Sequence, residues 1–315
     1  MSVSGGSQDG CLCQEDYMKY FHGTTDFYIE GDTAVTLGKF DGVHRGHQKL
    51  MRHIKKLEEE KRVGSVCFAL NACKGSLLLT REEQRHVVEQ MGISYFIDCP
   101  FVPEISGMTP LQFVEEVLVK KLHAKYITVG TDFRFGYQRA GDVEFLKSLQ
   151  EEYGFQVHSL EKERYGEREI SSTYIRETLD QGDMSLAAVL LGRPHFVSGQ
   201  VKHGRHIGRT LGMPTVNLIP PKKKLLPPNG VYASKTWVDG TPYPGVTNIG
   251  YKPTVGESFR GVETYLFDVD MDLYGTDIVT ELYCFERPEQ KFASLEELKA
   301  QMHRDISFGK EYFFG

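Results

Sequence analysis

Apolar and polar positions follow a strand-then-helix pattern in the first two thirds of the chain. An apolar run at residues 33–37 precedes residues 47–61, where apolar residues recur every three or four positions. Further predicted strands are 65–70, 95–99, 126–129 and 156–159, and further predicted helices are 81–91, 109–120, 142–153, 172–180 and 185–191. Strands that alternate with crossover helices are typical of a parallel sheet covered on both faces. We therefore predict a doubly wound α/β domain that binds ligands beyond the carboxyl ends of its strands.

After residue 194 the pattern changes to short β-type runs separated by glycine and proline. The predicted strands are 196–202, 215–218, 230–237, 244–249, 263–268 and 277–285. This pattern favours a small antiparallel β-barrel, closed by a helix at 294–306 whose Leu295, Leu298 and Met302 are expected to pack onto it. We place the domains at 18–185 and 186–315, and residues 1–17 are expected to form a flexible tail.

Composition excludes several classes of protein. The 315 residues are 40% hydrophobic and 25% charged, as in an ordinary globular chain. A net charge of -6 gives no long-range attraction for nucleic acid, and the basic run at 222–224 lies among prolines and is expected to be a solvated loop. No apolar run approaches the roughly 20 residues of a membrane-spanning helix, and the amino terminus lacks a signal-peptide pattern. We expect a cytoplasmic protein without nucleic-acid or membrane partners.

The first candidate site is the connection between a strand and a helix at residues 38–47. It turns through Gly38, Gly42 and Gly46, with Phe40 and Asp41 in the same loop. Backbone N–H groups and the positive end of the helix dipole converge at such a connection, which predicts a phosphate-binding loop. The four-residue spacing of the glycines fits neither a Walker loop nor a dinucleotide fingerprint.

Histidines take the place of the usual lysine in this loop. His44 and His47 are three residues apart at the helix entry, so they can face one bound group and donate hydrogen bonds to phosphate oxygens. A second cluster, containing Ser172, Thr173 and Arg176, lies at another predicted helix start. These residues can also hold a phosphate, although a plain helix cap explains the hydroxyl groups equally well.

The second candidate site lies in the barrel half. A glycine-rich flap, which contains Gly204, Gly208, Arg209 and Gly212, runs into the strand at 215–218. Thr215 and Asn217 are two residues apart and therefore lie on one face of that strand. Their neutral oxygens, joined by ATP phosphates and waters, suit Mg2+.

Glu263 is the candidate general base of the second site. We place it at the beginning of the strand 263–268, where it could accept a proton from an attacking hydroxyl group. A solvated glutamate at a strand end is the alternative, and the spacing alone favours that alternative.

Together these motifs resemble the bifunctional riboflavin kinase and FAD synthetase (FMN adenylyltransferase) family of bacteria over about residues 18–306. The matching segments are GKFDGVHRGH at 38–47, GTDFRFG at 130–136, SSTYIR at 171–176, GRTLGMPTVN at 208–217, GVY at 230–232, NIGYKPT at 248–254 and DLYG at 272–275. The resemblance implies a Rossmann-like nucleotidyltransferase domain followed by a riboflavin kinase barrel. It also implies riboflavin, FMN, FAD and ATP as substrates and products, with Mg2+ accompanying ATP and no tightly bound redox cofactor.

The resemblance also assigns roles to individual residues. It implies that Glu263 activates the ribityl hydroxyl group and that Thr215 and Asn217 hold metal and phosphate. It implies that His44 and His47 stabilise the ATP phosphates. Contacts to nucleotide are implied for Ser172, Thr173 and Arg176, and contacts to nucleotide or flavin for Gly130, Asp132, Phe133 and Asn248.

One segment departs from the family pattern. Where the family has F-x-P-H-P, a loop that reaches ATP, this chain has FALNAC at residues 68–73. Asn71 can donate a hydrogen bond to phosphate but cannot carry a proton or a charge as imidazole can. Three readings therefore stay open: a bifunctional enzyme, a riboflavin kinase with a weakened or inactive adenylyltransferase domain, and a non-catalytic flavin- or nucleotide-binding regulator.

Overall fold

The first part of the molecule is built on a six-stranded parallel sheet. The computed structural model describes residues 18–71, 75–204, 212–253 and 258–315. Its first elements are β1 Lys19–His22, β2 Thr33–Gly38, α1 Arg45–Lys61, β3 Gly64–Asn71, α2 Arg81–Gln90, β4 Tyr95–Pro100, α3 Pro103–Ser106, α4 Pro110–Phe113, β5 Ala124–Gly130, β6 Arg134–Phe135, β7 Gly141–Asp142, α5 Val143–Ser148, α6 Gln150–Tyr153, β8 Gln156–Leu160, β9 Arg164–Tyr165 and β10 Arg168–Glu169. The strand order is β1-β4-β3-β2-β5-β8, with every neighbouring pair parallel.

Helices cover both faces of this sheet, as predicted for a doubly wound domain. Along β2, Val35 and Leu37 belong to the apolar core on one face, whereas Ala34 packs with Met51 and Ile54 of α1 on the other. The chain winds outward in opposite directions from β2 and β5, which are adjacent. A crevice therefore opens at the carboxyl ends of these two strands.

Three local features differ from the sequence-based expectations. The edge strand β1 has only four residues and too little alternation to be recognised. The predicted helix 109–120 begins as α4 and continues as a π-helix at Val114–Val119, where the Lys120 amide donates to the Glu115 carbonyl five residues earlier. The predicted helix 142–153 is divided into α5 and α6 at Leu149. The sequence did not reveal this break, because a kink of this kind leaves the spacing of apolar residues almost unchanged.

The second part is a curled antiparallel sheet, and the prediction of a small antiparallel barrel with a closing helix is confirmed. Its elements are α7 Ser172–Asp180, α8 Met184–Leu191, β11 His195–Gln200, β12 Thr215–Leu218, β13 Gly230–Val238, β14 Thr241–Pro253, β15 Ser258–Leu266, β16 Asp277–Pro288 and α9 Leu295–Phe314. The strand order is β11-β16-β13-β14-β15-β12. The Lys202 amide donates to the Asn217 carbonyl at 2.8 Å, which brings the two ends of the sheet together.

The closing helix α9 is longer than predicted, and the predicted Leu298 and Met302 line the cavity between it and the sheet. Leu295 is 56% exposed, so the expectation that it packs onto the barrel is wrong. The buried face carries Asp305, which accepts two hydrogen bonds from Arg287 of β16, at 2.9 and 2.5 Å. Gly309 allows close approach, since a Cβ there would lie 2.5 Å from Val246. An ion pair and a glycine contact therefore anchor the helix on the same side as the predicted Leu298 and Met302.

The two parts share an interface that includes a buried ion pair. Lys224 Nζ lies 2.7 Å from Glu83 Oε2 of α2, and both side chains are fully buried. The expectation that the basic run is a solvated loop is wrong for Lys224, because a carboxylate from the other part compensates its charge. Lys222 and Lys223 are exposed, as predicted. Among the described helices, none has both the length and the apolar character that a membrane crossing requires.

Two candidate active sites

The loop after β2 has an unusual backbone. Gly42 has φ of 84°, and the non-glycine residues Phe40 and Val43 also have positive φ, 49° and 39°. The side chains of Phe40 and Val43 are fully buried, and they anchor the loop in the core beneath α1. Burial of these two side chains offsets the cost of the left-handed conformation, which is of order 1–2 kcal/mol per residue.

The carbonyl groups of this loop are all occupied. Residues 40–43 each accept a hydrogen bond at their carbonyl oxygen from a side chain elsewhere in the chain. The donors are Gln84 Nε2 to Phe40 at 3.0 Å, Ser172 Oγ to Asp41 at 2.8 Å, and Arg193 Nη2 and Nη1 to Gly42 and Val43 at 2.7 and 3.1 Å. The oxygens that would repel an anion are thus held by donors, whereas the first-turn amides of α1 have no carbonyl one turn before them. This is the polarity that a phosphate-binding loop requires.

His44 and His47 stack face to face at the start of α1. Their ring centroids are 3.6 Å apart, with 21° between the planes. Burial, together with the nearby Arg193 guanidinium, lowers the pKa of His44 to about 4. Burial and the neighbouring His44 ring lower the pKa of His47 well below its ordinary value. Both imidazoles are therefore neutral at pH 7, and each carries one N–H donor.

Each of these rings also has an unsatisfied nitrogen. Within the described ranges, neither His44 Nδ1 nor His47 Nδ1 has a hydrogen-bond partner, although both atoms are buried. Gly46 makes room for this arrangement, since a Cβ there would lie 3.2 Å from the His44 ring. Buried polar atoms are nearly always paired in native proteins, so a ligand with polar oxygens is expected beside the two rings.

The hydroxyl and arginine cluster at the start of α7 touches the same loop. Ser172 donates to the Asp41 carbonyl, and the Arg176 guanidinium pairs with the Asp41 carboxylate and donates to the Ser76 carbonyl at 3.0 Å. Thr173 is exposed. In this structure the cluster supports the loop through Asp41, and its role as a phosphate ligand remains a prediction.

Three further predicted residues lie at the same edge of the sheet. Gly130 ends β5, which is the neighbour of β2. The Asp132 carboxylate lies 2.8 Å from Lys162 Nζ, and the Phe133 ring stacks on Phe135 with centroids 5.6 Å apart. Their contacts to nucleotide or flavin remain predictions. The side chain of Asn71, together with Gly208, Arg209 and residues 1–17, lies outside the described residues.

The second site is a row of polar side chains across three barrel strands. Glu263 of β15 lies in register between Asn217 of β12 and Asn248 of β14. Residues directly opposite one another in antiparallel strands share a face, so these three side chains form one row. Since β15 begins at Ser258, Glu263 lies within the strand, and the expected position at a strand entrance is wrong. Backbone pairing with β14 extends β15 toward its amino terminus, and such pairing leaves no clear pattern in the sequence.

The Glu263 carboxylate is held by two neighbours. Thr215 Oγ1 donates to Oε1 at 2.7 Å, and Lys252 Nζ lies 2.5 Å from Oε2. Burial alone would raise the pKa of Glu263, but the Lys252 charge and the hydrogen bonds from Lys252 and Thr215 outweigh it and lower the pKa. The carboxylate is thus ionised at neutral pH and can accept a proton.

Two cavities meet at this row. A cavity of about 640 Å³ lies between the outer face of the sheet and α9. Its polar lining includes Thr215, Asn217, Asn248 and Glu263, and its apolar lining includes Phe292, Leu298 and Met302. A smaller cavity of about 300 Å³ shares Gly204, Thr215 and Asn217 with it. Two ligands, one of them largely apolar, can therefore meet beside Glu263.

Gly204 borders both cavities. A Cβ on Gly204 would lie 2.5 Å from Asn217 Nδ2, so any larger residue would force the Asn217 side chain to shift. Gly212 has φ of 78° on the other side of the flap. Thr215 and Asn217 present neutral oxygens, and Glu263 adds one carboxylate, a donor set that suits a hard divalent cation. Within the described ranges, no group of three or more histidine, cysteine or acidic residues forms a separate metal site.

Comparisons with known proteins place both halves of the chain in one family. A model described as FAD synthetase matches residues 28–174, and one described as riboflavin kinase matches residues 191–313. A bifunctional riboflavin kinase/FMN adenylyltransferase of Escherichia coli K12 is 40% identical over 294 residues, covering 89% of this chain and 92% of the relative. This chain belongs to the bifunctional riboflavin kinase/FMN adenylyltransferase family. The resemblance stated from the motifs is confirmed.

Other relatives agree with this assignment. The family member of Bacillus subtilis is 33% identical over 94% of this chain and 98% of its own length. A solved structure titled as a macrolide-efflux protein from Streptococcus pneumoniae superposes with a TM-score of 0.82, covering 93% of this chain and 99% of its own, at 26% identity. The efflux function named in that title is attributed to the Streptococcus pneumoniae protein alone. The structural similarity supports the two-part fold of this family member.

Sequence reasoning missed three residues of this family member that contact the two sites. Lys252 lies four residues after Asn248 on β14, so it shares a face with Asn248, and this spacing could have revealed it. Gln84 and Arg193 reach the first site from α2 and from the segment before β11. No local pattern marks these two, because their contacts join segments far apart in the chain.

Proposed function

We propose that this chain makes FMN from riboflavin and ATP in the barrel and then FAD from FMN and a second ATP at the carboxyl edge of the parallel sheet. The observation that carries the kinase step is the meeting of two cavities at Thr215, Asn217 and Glu263. The two buried histidine nitrogens without partners in the described structure support the second step. We propose the cytoplasm as the compartment, where ATP is available to both sites.

In the kinase step, the apolar cavity beneath α9 would hold the flavin rings and place the terminal ribityl hydroxyl group beside Glu263. The hydroxyl oxygen attacks the γ-phosphorus of ATP, the bond to the bridging oxygen breaks, and ADP leaves. The ionised Glu263 carboxylate accepts the hydroxyl proton. A loose transition state needs only a weak base, so the lowered pKa of Glu263 is compatible with this role.

Thr215 and Asn217 would hold the metal ion of this step, which we propose to be Mg2+. When bound, the ion neutralises charge on the phosphates of ATP. Lys252 keeps the Glu263 carboxylate fixed and ionised while the hydroxyl group approaches. Thr215 donates to the same carboxylate, which couples the base to the phosphate end of the site.

In the adenylyl step, a phosphate oxygen of FMN attacks the α-phosphorus of ATP and pyrophosphate leaves. The phosphate group of FMN is already ionised, so it needs no general base. The protein therefore mainly positions the two reacting phosphates and stabilises their negative charge. The first-turn amides of α1 and the neutral rings of His44 and His47 would donate to the phosphate oxygens. Each neutral ring still supplies one N–H donor for this role.

A second candidate function is riboflavin kinase activity alone. It is favoured by FALNAC at residues 68–73, which replaces the proline-flanked histidine of the family pattern beside the first site. A non-catalytic flavin- or nucleotide-binding regulator is the third reading. All three readings predict that flavin and nucleotide bind, and they differ only in the products formed.

A product assay with single substitutions separates these readings. Riboflavin with ATP and Mg2+ should give FMN and then FAD, whereas FMN without FAD would support the kinase-only reading. Glu263→Gln should abolish FMN formation and leave FAD formation from added FMN, and His47→Asn should do the reverse. Matched controls are Glu281→Gln on β16, whose carboxylate binds Tyr283, and His86→Asn on α2, which is exposed. Binding without any product would favour the regulator.

A further inference from the structure

Arg193 connects the barrel half to the phosphate-binding loop of the first site. It lies between α8 and β11, within the residues that the riboflavin kinase model matches. Its guanidinium donates to the carbonyl oxygens of Gly42 at 2.7 Å and Val43 at 3.1 Å. Burial lowers its pKa to about 10, which still leaves it charged at neutral pH. A half-buried cation therefore holds two carbonyl groups of the loop. The Val43 carbonyl also accepts from Gln48 Nε2 at 2.9 Å, so the Gly42 carbonyl depends more on Arg193.

Lys224 reaches the same loop through one intervening residue, Leu78. Its ammonium donates to the Leu78 carbonyl at 2.8 Å, and the Leu78 amide donates to Asp41 Oδ1 at 3.0 Å. Two backbone hydrogen bonds of 2.7 Å, from the Leu77 amide to Lys223 and from the Leu225 amide to Leu77, fix this segment against the barrel. The barrel thus orients the peptide that binds Asp41.

The start of α2 completes the connection. Glu83, the partner of Lys224, also accepts from the Ser198 amide of β11 at 3.0 Å. The next residue, Gln84, donates to the carbonyls of Phe40 at 3.0 Å and Lys39 at 3.3 Å. Barrel contacts therefore fix the helix start from which Gln84 reaches the loop.

We propose that Arg193 and Lys224 are positioning residues for the adenylyltransferase site, although both lie in the riboflavin kinase half. The proposal rests on the proposed function of the loop at residues 38–47. Its physical basis is that the non-glycine residues Phe40 and Val43 adopt positive φ, a conformation that needs support from the surrounding structure. Without Arg193, the Gly42 carbonyl loses its cationic donor and can rotate toward the phosphates, whereas the Val43 carbonyl keeps its hydrogen bond from Gln48. FMN adenylylation therefore depends on the presence of the barrel and on its position against the first part of the molecule.

Steady-state kinetics of the full-length chain test this proposal. Arg193→Gln is expected to lower kcat/KM for ATP in FAD formation from FMN by roughly a hundredfold, as for a misplacement of about 1 Å. Riboflavin phosphorylation should stay within about twofold, since the two sites do not share these contacts. Arg193→Lys keeps the charge but not the two-pronged geometry, and it should recover part of the loss. Arg52→Gln, an exposed arginine on α1, is the matched control and should change neither activity.

The outcomes are distinct. Unchanged FAD formation in Arg193→Gln, or a parallel loss of both activities with a lower melting temperature, would overturn the positioning role. If Arg193→Gln does not fold, Arg193→Lys must show the same selective loss to a smaller degree. If the wild-type chain makes FMN but no FAD, the adenylylation part of the proposed function fails. Amide hydrogen exchange of residues 38–47 then decides the positioning role alone, with faster exchange expected in Arg193→Gln and equal exchange overturning it.

Discussion

Replacement of Lys224 by methionine tests whether the two halves are joined by a buried ion pair. The change removes the ammonium group and keeps an apolar side chain of similar length. Glu83 would keep the hydrogen bonds that it accepts from the Thr80 amide at 2.8 Å and the Ser198 amide at 3.0 Å. It would lose the ammonium group that compensates its charge. The Leu78 carbonyl would lose its donor as well.

The expected cost of Lys224→Met is large. Removing one partner of a buried ion pair typically costs about 3–5 kcal/mol, because the remaining charge stays buried without compensation. For a domain of this size each kcal/mol lowers the melting temperature by about 2–4 °C, so we expect a decrease of about 6–20 °C. Glu83→Gln in the same chain removes the uncompensated charge. The double variant should therefore be more stable than the sum of the single changes predicts, by about 1–3 kcal/mol.

Urea denaturation followed by two signals measures this effect. The single tryptophan, Trp237, lies on β13 and reports on the barrel, whereas far-ultraviolet circular dichroism reports on both halves. Lys223→Met changes the exposed neighbour and should stay within about 0.5 kcal/mol of the wild type. A loss below about 1 kcal/mol in Lys224→Met, or single effects that add within about 0.5 kcal/mol, would refute the reasoning.

Three further predictions concern the two sites. The pKa of His44 is about 4 in the folded chain and 6.5 ordinarily. Below pH 6.5 the unfolded state therefore takes up a proton that the folded state excludes. Between pH 6.5 and 4 this lowers the free energy of unfolding by up to about 3 kcal/mol, and in urea titrations His44→Gln should show a shallower decline. Gly42→Ala, at φ of 84°, should cost about 1–2 kcal/mol in thermal melts and reduce FAD formation more than FMN formation. Gly204→Ala should displace Asn217 and raise KM for ATP in the kinase reaction by roughly tenfold or more.

Each of these has an opposing result. An equally steep loss of stability in His44→Gln would show that the decline has another source. A Gly42→Ala variant with wild-type stability would show that the loop can relax. Unchanged ATP kinetics in Gly204→Ala would mean that Asn217 does not need its present position.

The sequence by itself determined the two architectures and predicted the residues of both candidate sites. Strands and helices are recognisable because their apolar residues recur with periods of two and about 3.6 residues, which depend on local backbone geometry. The loop at residues 38–47 was recognisable as a candidate phosphate-binding loop because its glycines and histidines lie within ten residues of one another. Thr215 and Asn217 were predictable as a pair because residues two apart in a strand must share a face. Such inferences need only neighbours along the chain.

Only the tertiary structure decided how these sites are supported. Lys224 is charged and flanked by prolines, and nothing local distinguishes it from Lys223, yet its partner Glu83 lies 141 positions away. Leu295 is apolar but exposed, whereas Asp305 is acidic but buried against Arg287. In each case the free energy that stabilises the folded arrangement comes from compensation of charge or from close packing between distant segments. Those contacts exist only once the chain has folded, so the supporting residues have no local pattern from which to be inferred.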